Sequence, residues 1–459
     1  MPNIPPIQII IRNNLRLGKL SPSFRDTLME ALTIANPKYI ENARLGRYNR
    51  KTPKMLKFFD KVGKDGLWIP RGYIRHLLNL CKQNKISFDI VDQRQCLSPA
   101  AFEFSGRLKP FQQNAVRIML AKEFGTLNAP TGSGKTVMAL YMIAARKQPT
   151  LVVVHTKELA FQWIERIETF LGIPSDQCGL IGAGRKTVGE KMTVALVQSL
   201  YRCADEVAPR IGHIVVDECH RTPSRTFTDA VTEFGSRFML GLSATPWRRD
   251  RLSKLIFWHL GDVHHQIDKA DLVESGDVLA ADIVIRETEF KPYYDPVREY
   301  SKMLSELTND DKRNRLIASD VAAAVRENDG VCLVLSDRKM HCENLTAILR
   351  FKFGTACELL TGDLKDRERR EVLDRIDAGA VKVLVATGQL IGEGFDCKDL
   401  SMLFLTTPIK FSGRVVQYLG RVLRPAPGKE RAKVFDYVDK HVDVLNSAAR
   451  SRQRVYEEL

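Results

Sequence analysis

The first 105 residues combine short apolar runs with clear helical patterns. The run "IQIIIRNNLRL" predicts strand structure, because β-branched residues are concentrated in it. The run "SPSFRDTLMEALTIANP" predicts a helix that begins at a serine and is stopped by a proline. The run "LWIPRGYIRHLLNLCKQNKISFDIVDQ" predicts a strand, a turn, a helix and another strand. Together these patterns indicate a small α+β domain at residues 1–105.

From residue 106 onward, short β-branched runs alternate with longer helical stretches. This alternation is typical of α/β domains built on parallel sheets. The strand-like runs stand at residues 151–155, 194–200, 214–217 and 239–245, and again at 331–336, 357–362, 382–387, 402–407 and 433–438. We therefore predict two consecutive α/β domains, at residues 106–267 and 283–459, joined by a linker at residues 268–282.

Length, hydrophobic runs and cysteine usage disfavour a membrane-spanning, secreted, disulfide-rich or zinc-cluster protein. The 459 residues correspond to about two to four domains. There is no apolar run of the roughly 20 residues that a membrane helix needs, and the N-terminus lacks the pattern of a signal peptide. The nine cysteines are odd in number and none is spaced CxxC, which argues against disulfides and a zinc cluster. We expect a cytoplasmic protein, in the host cytoplasm if the chain is viral.

The positive charge is concentrated at the N-terminus. Residues 1–106 hold 18 Lys or Arg against 8 Asp or Glu, so +10 of the chain's +15 lies there. This imbalance favours a polyanion partner, most simply nucleic acid, over a merely solvated basic surface. Its densest part is "ARLGRYNRKTPKMLKFFDK", whose aromatic residues could either stack on bases or be buried beneath the charges. The candidate contacts are Arg44, Arg47, Arg50, Lys51 and Lys54.

The motif "APTGSGKT" lies between a strand-like run and a helical run, which is the context of a phosphate-binding loop. Glycines let the loop backbone approach phosphates at the start of a helix. Lys135 is placed to reach the β- and γ-phosphates, and Thr136 to bind Mg²⁺. The usual first glycine is replaced by Ala129, a mild departure. The predicted nucleotide-binding residues here are Thr131, Gly132, Ser133, Gly134, Lys135 and Thr136.

The motif "VVDECHRT" supplies the acidic partner that such a loop needs. The strand "HIVV" ends at Asp217, which we expect to hold Mg²⁺, and Glu218 is placed to orient or activate the attacking water. A zinc site is disfavoured, since the adjacent side chains of Cys219 and His220 rarely converge on one ion and no second ligand pair stands at zinc spacing. His220 is better explained as a sensor of the nucleotide state.

The motifs "APTGSGKT", "DECH", "SAT" and "QYLGRVLR" together resemble those of superfamily-2 helicases and translocases, and most closely the DNA-acting group with UvsW-type and XPB-type enzymes. The resemblance covers residues 107 to about 440 and implies two tandem RecA-like domains, ATP and Mg²⁺ as cofactors, and a nucleic-acid partner. Further motifs follow in the family order: "LKPFQQNAV", "HTKELAFQW", "LVQSL", "TGDLKDRERREVLDRI" and "ATGQLIGEGFDC". Of these, "HTKELAFQW" and "LVQSL" resemble the strand-contacting motifs of the first helicase domain.

The resemblance also implies roles for individual residues. Arg421 and Arg424 are candidate arginine fingers, and such a residue can be worth about 10³–10⁵ in rate. The other implied residues are Gln112 for adenine, Gly394 and Asp396 for nucleotide contact, Thr387 for nucleic-acid contact, and His220, Ser243, Thr245 and Gln417 for coupling hydrolysis to movement.

A segment rich in Arg and Trp, "TPWRRDRLSKLIFWHLG", follows "SAT" directly. Trp247, Arg248 and Arg249 are candidate contacts to the nucleic-acid backbone or to a junction. For Phe257 and Trp258 we favour a packed aromatic helix.

We therefore expect an ATP-dependent DNA helicase or translocase. The resemblance to UvsW-type enzymes implies branched DNA as its substrate, with roles in fork regression, Holliday-junction branch migration, replication, recombination and repair. We expect a monomer that works beside recombination or replication proteins, without zinc or a membrane. The alternatives are an ATP-dependent RNA helicase and a double-strand DNA translocase that does not separate strands. A non-enzymatic scaffold is disfavoured, because the residues needed for hydrolysis are present.

Overall fold

The computed structural model divides into two compact units. The first comprises residues 1–129 and 134–267, and the second comprises residues 130–133 and 268–459. The structure describes residues 6–44, 46–221, 225–244, 252–327, 330–388, 397, 399–409, 412–426 and 429–457. No helix in these residues is long and apolar enough to cross a membrane.

The N-terminal part of the first unit contains a five-stranded sheet and a separate two-stranded sheet. Its strands are β1 (Ile7–Ile11), β2 (Asn14–Gly18), β3 (Thr33–Ala35), β4 (Met55–Lys57), β5 (Asp60–Val62), β6 (Gly66–Pro70) and β7 (Phe88–Asp92). The larger sheet has the order β5-β6-β2-β1-β7, and of its pairs only β1 with β7 is parallel. Alternate residues Ile7, Ile9 and Ile11 of β1 are buried, as a strand with one face on a core requires.

Three helices accompany this sheet: α1 (Pro22–Ala31), α2 (Pro37–Arg44) and α3 (Ile74–Gln83). Helix α1 begins as predicted after Ser21, whose hydroxyl accepts a hydrogen bond from the Phe24 N–H at 3.4 Å. The prediction that this helix continues to the proline is wrong, because the β-branched residues Thr33 and Ile34 belong instead to β3, which pairs with β4.

The rest of the first unit is built on an eight-stranded sheet. Its strands are β8 (Phe124–Asn128), β9 (Thr150–Val154), β10 (Gly179–Gly182), β11 (Arg185–Lys186), β12 (Met192–Leu196), β13 (His213–Val216), β14 (Phe238–Ser243) and β15 (Val263–Gln266). The order is β11-β10-β12-β9-β13-β14-β8-β15, and every pair of neighbours is parallel except β10 with β11. The predicted strand at residues 194–200 is too long, because β12 ends at Leu196 and a short helix follows.

The helices of this part are α4 (Pro110–Leu120), α5 (Lys135–Arg146), α6 (Lys157–Leu171), α7 (Val197–Leu200), α8 (Ala204–Val207), α9 (Arg225–Val231) and α10 (Ser253–Leu260). Short 3₁₀ turns lie at Arg71–Tyr73, Ala208–Arg210 and Cys219–Arg221. Because β8, β9, β13 and β14 are parallel, the loops that follow them all leave from the same edge of the sheet.

Helix α10 joins the two sheets of the first unit, since its apolar side chains complete the N-terminal core. Leu255 and Trp258 are buried in that core, and the Trp258 ring meets the Tyr73 ring edge-on with centroids 5.8 Å apart. Gly72 lies so close to the backbone of α10 that a Cβ there would collide with the Phe257 carbonyl oxygen. The prediction of a packed aromatic helix is therefore confirmed for Trp258, while Phe257 packs partly buried against the neighbouring core.

Polar contacts strengthen the same junction. The guanidinium of Arg71 is buried and donates to the Ser236 carbonyl at 2.7 Å. The Asn13 amide donates to the Thr232 carbonyl at 2.7 Å, and Arg94 forms an ion pair with Glu123. These contacts reach the segments that precede β14 and β8. The N-terminal sheet is thus attached near the amino ends of the parallel strands.

The second unit contains one six-stranded parallel sheet. Its strands are β16 (Ala281–Thr288), β17 (Val331–Ser336), β18 (Glu358–Leu360), β19 (Val383–Thr387), β20 (Leu400–Leu405) and β21 (Ala432–Asp439), in the order β16-β21-β20-β17-β19-β18. The described helices are α11 (Lys269–Glu274), α12 (Tyr300–Asn309), α13 (Asp311–Glu327), α14 (Lys339–Phe353), α15 (Asp366–Asp377), α16 (Ser412–Val422) and α17 (Asp443–Glu457).

The expected fold class is confirmed for the two α/β parts, which contain RecA-like parallel sheets. The interpretation of residues 1–105 as a separate basic domain stays a prediction. The segment interpreted as a linker, residues 268–282, holds helix α11 and the first two residues of β16. The boundaries at residues 105, 267 and 282 stay predictions of domain organisation.

Candidate nucleotide-hydrolysis site

The glycine-rich loop lies between the end of β8 and the first residue of α5. Gly132 and Gly134 have left-handed backbone conformations, with φ of +92° and +78°. The Lys135 ammonium donates a hydrogen bond to the Ala129 carbonyl oxygen at 3.1 Å. Ala129 N–H in turn donates to the carbonyl of Ser243 at 2.9 Å. The loop is thus folded back over its own start and tied to the end of β14.

Gln112 is buried in the first turn of α4, close to the same loop. Its side-chain oxygen accepts a hydrogen bond from the Lys109 N–H at 3.0 Å, which caps the helix. A Cβ at Gly134 would come within 2.5 Å of the Gln112 amide nitrogen, so no larger residue fits there without a shift. The structure therefore brings the predicted adenine-reading residue against the predicted phosphate loop.

Asp217 follows β13 directly, and both of its carboxylate oxygens are held. Oδ1 accepts a hydrogen bond from the Glu218 N–H at 2.8 Å, and Oδ2 accepts one from the Trp163 indole N–H at 2.9 Å. Burial, followed by the charge of Glu218, raises the pKa of Asp217 to about 6, although the Trp163 hydrogen bond and the charge of Lys135 oppose this. The structure thus brings Asp217 within electrostatic reach of Lys135.

Glu218 has a left-handed backbone, with φ of +47°. This conformation is costly for a residue with a side chain, and such strain is concentrated at functional sites. The side-chain oxygen Oε2 of Glu218 lies 3.2 Å from His220 Nδ1. The turn after β13 therefore directs an acidic and an imidazole group toward each other.

His220 also reaches the next strand of the sheet, because its Nδ1 lies 3.0 Å from the Ser243 hydroxyl at the end of β14. The imidazole is buried, so this pair is shielded from solvent. Cys219 between them is fully buried, and burial raises the pKa of its thiol well above the usual value. The thiol therefore stays protonated and fills space, whereas His220 links Glu218 to Ser243.

Comparisons with known proteins agree on one group. The family described as "Type III restriction enzyme, res subunit" matches residues 105–248, and that described as "Helicase conserved C-terminal domain" matches residues 311–426. The chain belongs to the superfamily-2 helicases. It is an ATP-hydrolysing helicase, and this class of enzyme uses a nucleotide and binds nucleic acid.

The relatives of this helicase include a protein named as a DNA translocase and a protein named as an RNA helicase. It is 29% identical over 355 residues to the DNA 3'-5' translocase XPB2 of Sulfurisphaera tokodaii, covering 69% of this chain and 78% of the relative. It is 27% identical over 369 residues to a mimivirus protein named as an ATP-dependent RNA helicase, and the match covers 77% of this chain and 68% of the relative. The structure of yeast Dbp5 bound to RNA and ADP BeF₃ aligns with a TM-score of 0.55 at 15% identity over 77% of this chain and 88% of Dbp5, which supports the fold alone.

The second unit of the helicase carries the remaining predicted groups. Thr387 is the last residue of β19, Arg421 lies in the last turn of α16, and Arg424 follows two residues after that helix. Lys429 donates hydrogen bonds to the carbonyls of Val422 and Arg424, and so caps the end of α16. This cap fixes the backbone that carries both arginines.

Some predicted residues lie outside the described part of the chain: Thr245, Trp247, Arg248, Arg249, Gly394 and Asp396. Gln417 lies on α16, but its side chain is likewise not described.

The basic segment, "ARLGRYNRKTPKMLKFFDK" at residues 43–61, presents the charges of its candidate contacts to solvent. The candidate contacts Arg44, Arg47, Arg50, Lys51 and Lys54 are all exposed. The two interpretations of the aromatics divide between residues: Phe58 and Phe59 pack partly buried against the N-terminal core, whereas Tyr48 is 74% exposed. The surface is therefore mainly cationic, with one aromatic ring available for stacking.

Two residues of the site were not predicted. Trp163 is part of the quoted motif "HTKELAFQW", but its partner Asp217 lies 54 residues away. Lys429 follows the "GRVLR" motif, and only its burial beside helix-end carbonyls reveals its role. A buried tryptophan whose N–H needs an acceptor was the available signal for Trp163.

Proposed function

We propose that this helicase uses Mg²⁺ and ATP to move along branched DNA, regressing forks and migrating four-way junctions. The observation that carries the proposal is the shared core of the first unit. Helix α10, which follows the "SAT" motif, contributes Leu255 and Trp258 to the N-terminal core, so the basic domain and the nucleotide-binding sheet behave as one body. DNA gripped by that domain would move with the ATP site.

The residues at the end of the parallel sheet fit Mg·ATP. The left-handed glycines leave the loop backbone open to phosphates, and the oxygens of Thr136 and Asp217 are the hard donors that Mg²⁺ prefers. When bound, Mg²⁺ neutralises charge on the phosphates. Thr136 and Asp217 would hold it, Lys135 would bind the β- and γ-phosphates, and Glu218 would orient the attacking water.

Other predicted residues complete this proposal. Gln112 would recognise adenine, and Arg421 and Arg424 would stabilise charge on the leaving phosphate. His220 and Ser243 would transmit the change between bound ATP and bound ADP from the end of β13 to the end of β14. We further propose Thr387 and the basic segment as nucleic-acid contacts, a monomeric enzyme, and a cytoplasmic location. The last is supported by nine free cysteines, which suit a reducing compartment.

The choice of branched DNA is supported by the resemblance of the motifs to UvsW-type enzymes and by the basic domain fused ahead of the helicase domains. An RNA helicase is the second candidate, favoured by the name of the mimivirus relative. The two differ in what stimulates hydrolysis. ATP hydrolysis should be measured with a four-way junction, forked DNA, linear duplex, single-stranded DNA and RNA as activators, beside strand separation on the junction.

We expect the junction and the fork to stimulate hydrolysis most and the junction to be separated into duplex arms. Stimulation by RNA alone would overturn the DNA assignment. Equal stimulation by linear duplex, with no strand separation, would instead identify a double-strand translocase.

A further inference from the structure

Trp163 is a buried residue of helix α6 that touches the predicted magnesium ligand. Its side chain is 2% exposed, and its indole N–H donates to Asp217 Oδ2 at 2.9 Å. We propose that Trp163 is a positioning residue, which fixes the Asp217 carboxylate for Mg²⁺ and ties it to helix α6. This inference rests on the proposed Mg·ATP site.

Two hydrogen bonds set the orientation of the Asp217 carboxylate. A carboxylate can turn about its terminal bond unless both oxygens are held. Asp217 Oδ1 is held by the Glu218 N–H and Oδ2 by Trp163, so the plane of the group is set from two sides. Each oxygen can accept a further partner, because a carboxylate offers about four lone-pair directions. The group is therefore oriented in advance for a ligand.

Loss of the indole would leave Asp217 with one hydrogen-bond donor fewer. Asp217 is buried, and a buried carboxylate oxygen without a donor is destabilised. A phenyl ring in place of the indole would fill most of the space but leave Oδ2 without this donor. The carboxylate would then gain by turning toward another donor, and its fixed direction would be lost.

Helix α6 also connects Asp217 to a segment whose sequence resembles a nucleic-acid contact. Helix α6 begins at Lys157 with Thr156 as its cap, directly after β9. This is the segment "HTKEL", which resembles a strand-contacting motif. The Asp217 N–H also donates to the Val153 carbonyl of β9 at 3.0 Å. The segment is thus joined to Asp217 through β9 on one side and through Trp163 on the other, and a shift of α6 must act on the carboxylate.

A residue that only fills the core would contribute to stability and to nothing else. The test therefore compares Trp163→Phe with Trp258→Phe. Trp258 is also buried in the first unit, where its ring packs edge-on against Phe58 and Tyr73. Both variants remove an indole, but only the first removes a hydrogen bond to Asp217.

The measurement is calorimetric binding of ADP with Mg²⁺ and with EDTA. We expect Trp163→Phe to weaken Mg²⁺-dependent binding by about 10-fold to 100-fold, the usual effect of losing a partner of a metal ligand, while ADP in EDTA binds as in the wild type. Stimulation of hydrolysis by DNA should fall in the same variant. Trp258→Phe should keep the wild-type ratio of the two affinities. Equal ratios in all three proteins would overturn the proposal.

A second measurement uses the wild-type chain and so does not depend on the folding of Trp163→Phe. The indole N–H signals of ¹⁵N-tryptophan protein are recorded, and that of Trp163 is assigned by replacing the other three tryptophans in turn. Its signal should shift when Mg²⁺·ADP is added and again in Asp217→Asn. An unchanged signal in both would contradict the proposal. If wild-type ADP binding itself ignores Mg²⁺, the proposed function fails instead, while an Asp217→Asn shift would still establish the contact.

Discussion

His220 Nδ1 lies 3.0 Å from the Ser243 hydroxyl, which connects the turn after β13 to the end of β14. Because Glu218 Oε2 lies 3.2 Å from the same nitrogen, a change at Glu218 can reach β14 through one imidazole. We predict that Ser243→Ala uncouples hydrolysis from movement. Losing one hydrogen bond of about 1 kcal/mol should lower strand separation per ATP by about fivefold, with a smaller change in ATP hydrolysis.

The matched control is Ser305→Ala, which removes an exposed serine hydroxyl on α12. Both variants should be assayed for phosphate release and junction separation in the same reactions. A parallel fall of the two rates in Ser243→Ala would show that the pair serves hydrolysis itself and not coupling.

Trp258 should contribute strongly to the stability of the first unit, because it lies in the N-terminal core while belonging to a helix of the nucleotide-binding part. Trp258→Ala is expected to lower the free energy of unfolding by about 3–5 kcal/mol. Urea unfolding followed by circular dichroism measures this. Both sheets of the unit should be lost in one transition, at lower urea than in the wild type.

Tyr48→Ala is the control, since this ring is 74% exposed and its loss should change stability by no more than about 0.5 kcal/mol. If Trp258→Ala unfolded at the wild-type urea concentration, the shared core would not hold the two parts together.

The exposed charges of the basic segment should bind DNA phosphates. The triple variant Arg47→Ala, Arg50→Ala and Lys51→Ala should bind a four-way junction more weakly and lower the slope of log K against log salt by about 0.9 per lost contact. Hydrolysis without DNA should be unchanged, because these residues lie in the N-terminal part. Fluorescence anisotropy at several salt concentrations measures the slope.

An equal number of charges should be removed from the second unit as a control, at the exposed lysines Lys302, Lys312 and Lys352. A slope that falls equally in both triple variants would mean that net charge, and not the basic segment, governs binding.

Three buried histidines should make folding sensitive to mild acid. Burial lowers the pKa of His259 to about 4 and that of His341 to about 3, and it lowers the pKa of His213 well below its usual value. In the unfolded chain each titrates near 6.5. Their contribution to stability is therefore complete above about pH 6.5 and is lost as pH falls below it, by up to about 1.4 kcal/mol per pH unit for each residue.

Urea unfolding between pH 7.5 and 5 tests this expectation. His341 bonds to Ser336 and Asn314 in the core of the second unit, and His341→Asn should flatten the pH dependence of that unit while leaving the first unit unchanged. A wild-type stability that is constant from pH 7.5 to 5 would contradict the account.

The proximity of the glycine-rich loop, the turn after β13 and the end of β14 could be predicted from sequence because each of these parts is local. Each motif is a strand end followed by a short turn, and parallel strands bring such turns to one edge. The contact between Trp163 and Asp217 could not be predicted, since it joins residues far apart in sequence. The shared core of α10 and the N-terminal sheet was missed for the same reason. Because α10 shares this core, deleting residues 1–100 would expose Leu255 and Trp258. Point substitutions in the basic segment therefore test DNA binding better than this deletion does.

Errors within elements had local causes. The predicted first helix extended too far because its helical spacing continues into β-branched residues, which pair as β3 once β4 is available. The strand predicted at residues 194–200 ended early because its last residues turn into a helix that buries Val197 and Leu200. In both cases a tertiary partner decided between two structures that the sequence alone permits.

The central claim is that ATP is hydrolysed at the site formed by Lys135, Asp217 and Glu218. The most direct measurement is DNA-stimulated phosphate release by Lys135→Ala beside the wild-type enzyme. Losing the lysine should lower the stimulated rate by about 10³-fold or more, as expected for a group that stabilises phosphoryl transfer, while DNA binding without nucleotide is retained. Stimulated hydrolysis at the wild-type rate in Lys135→Ala would contradict the account.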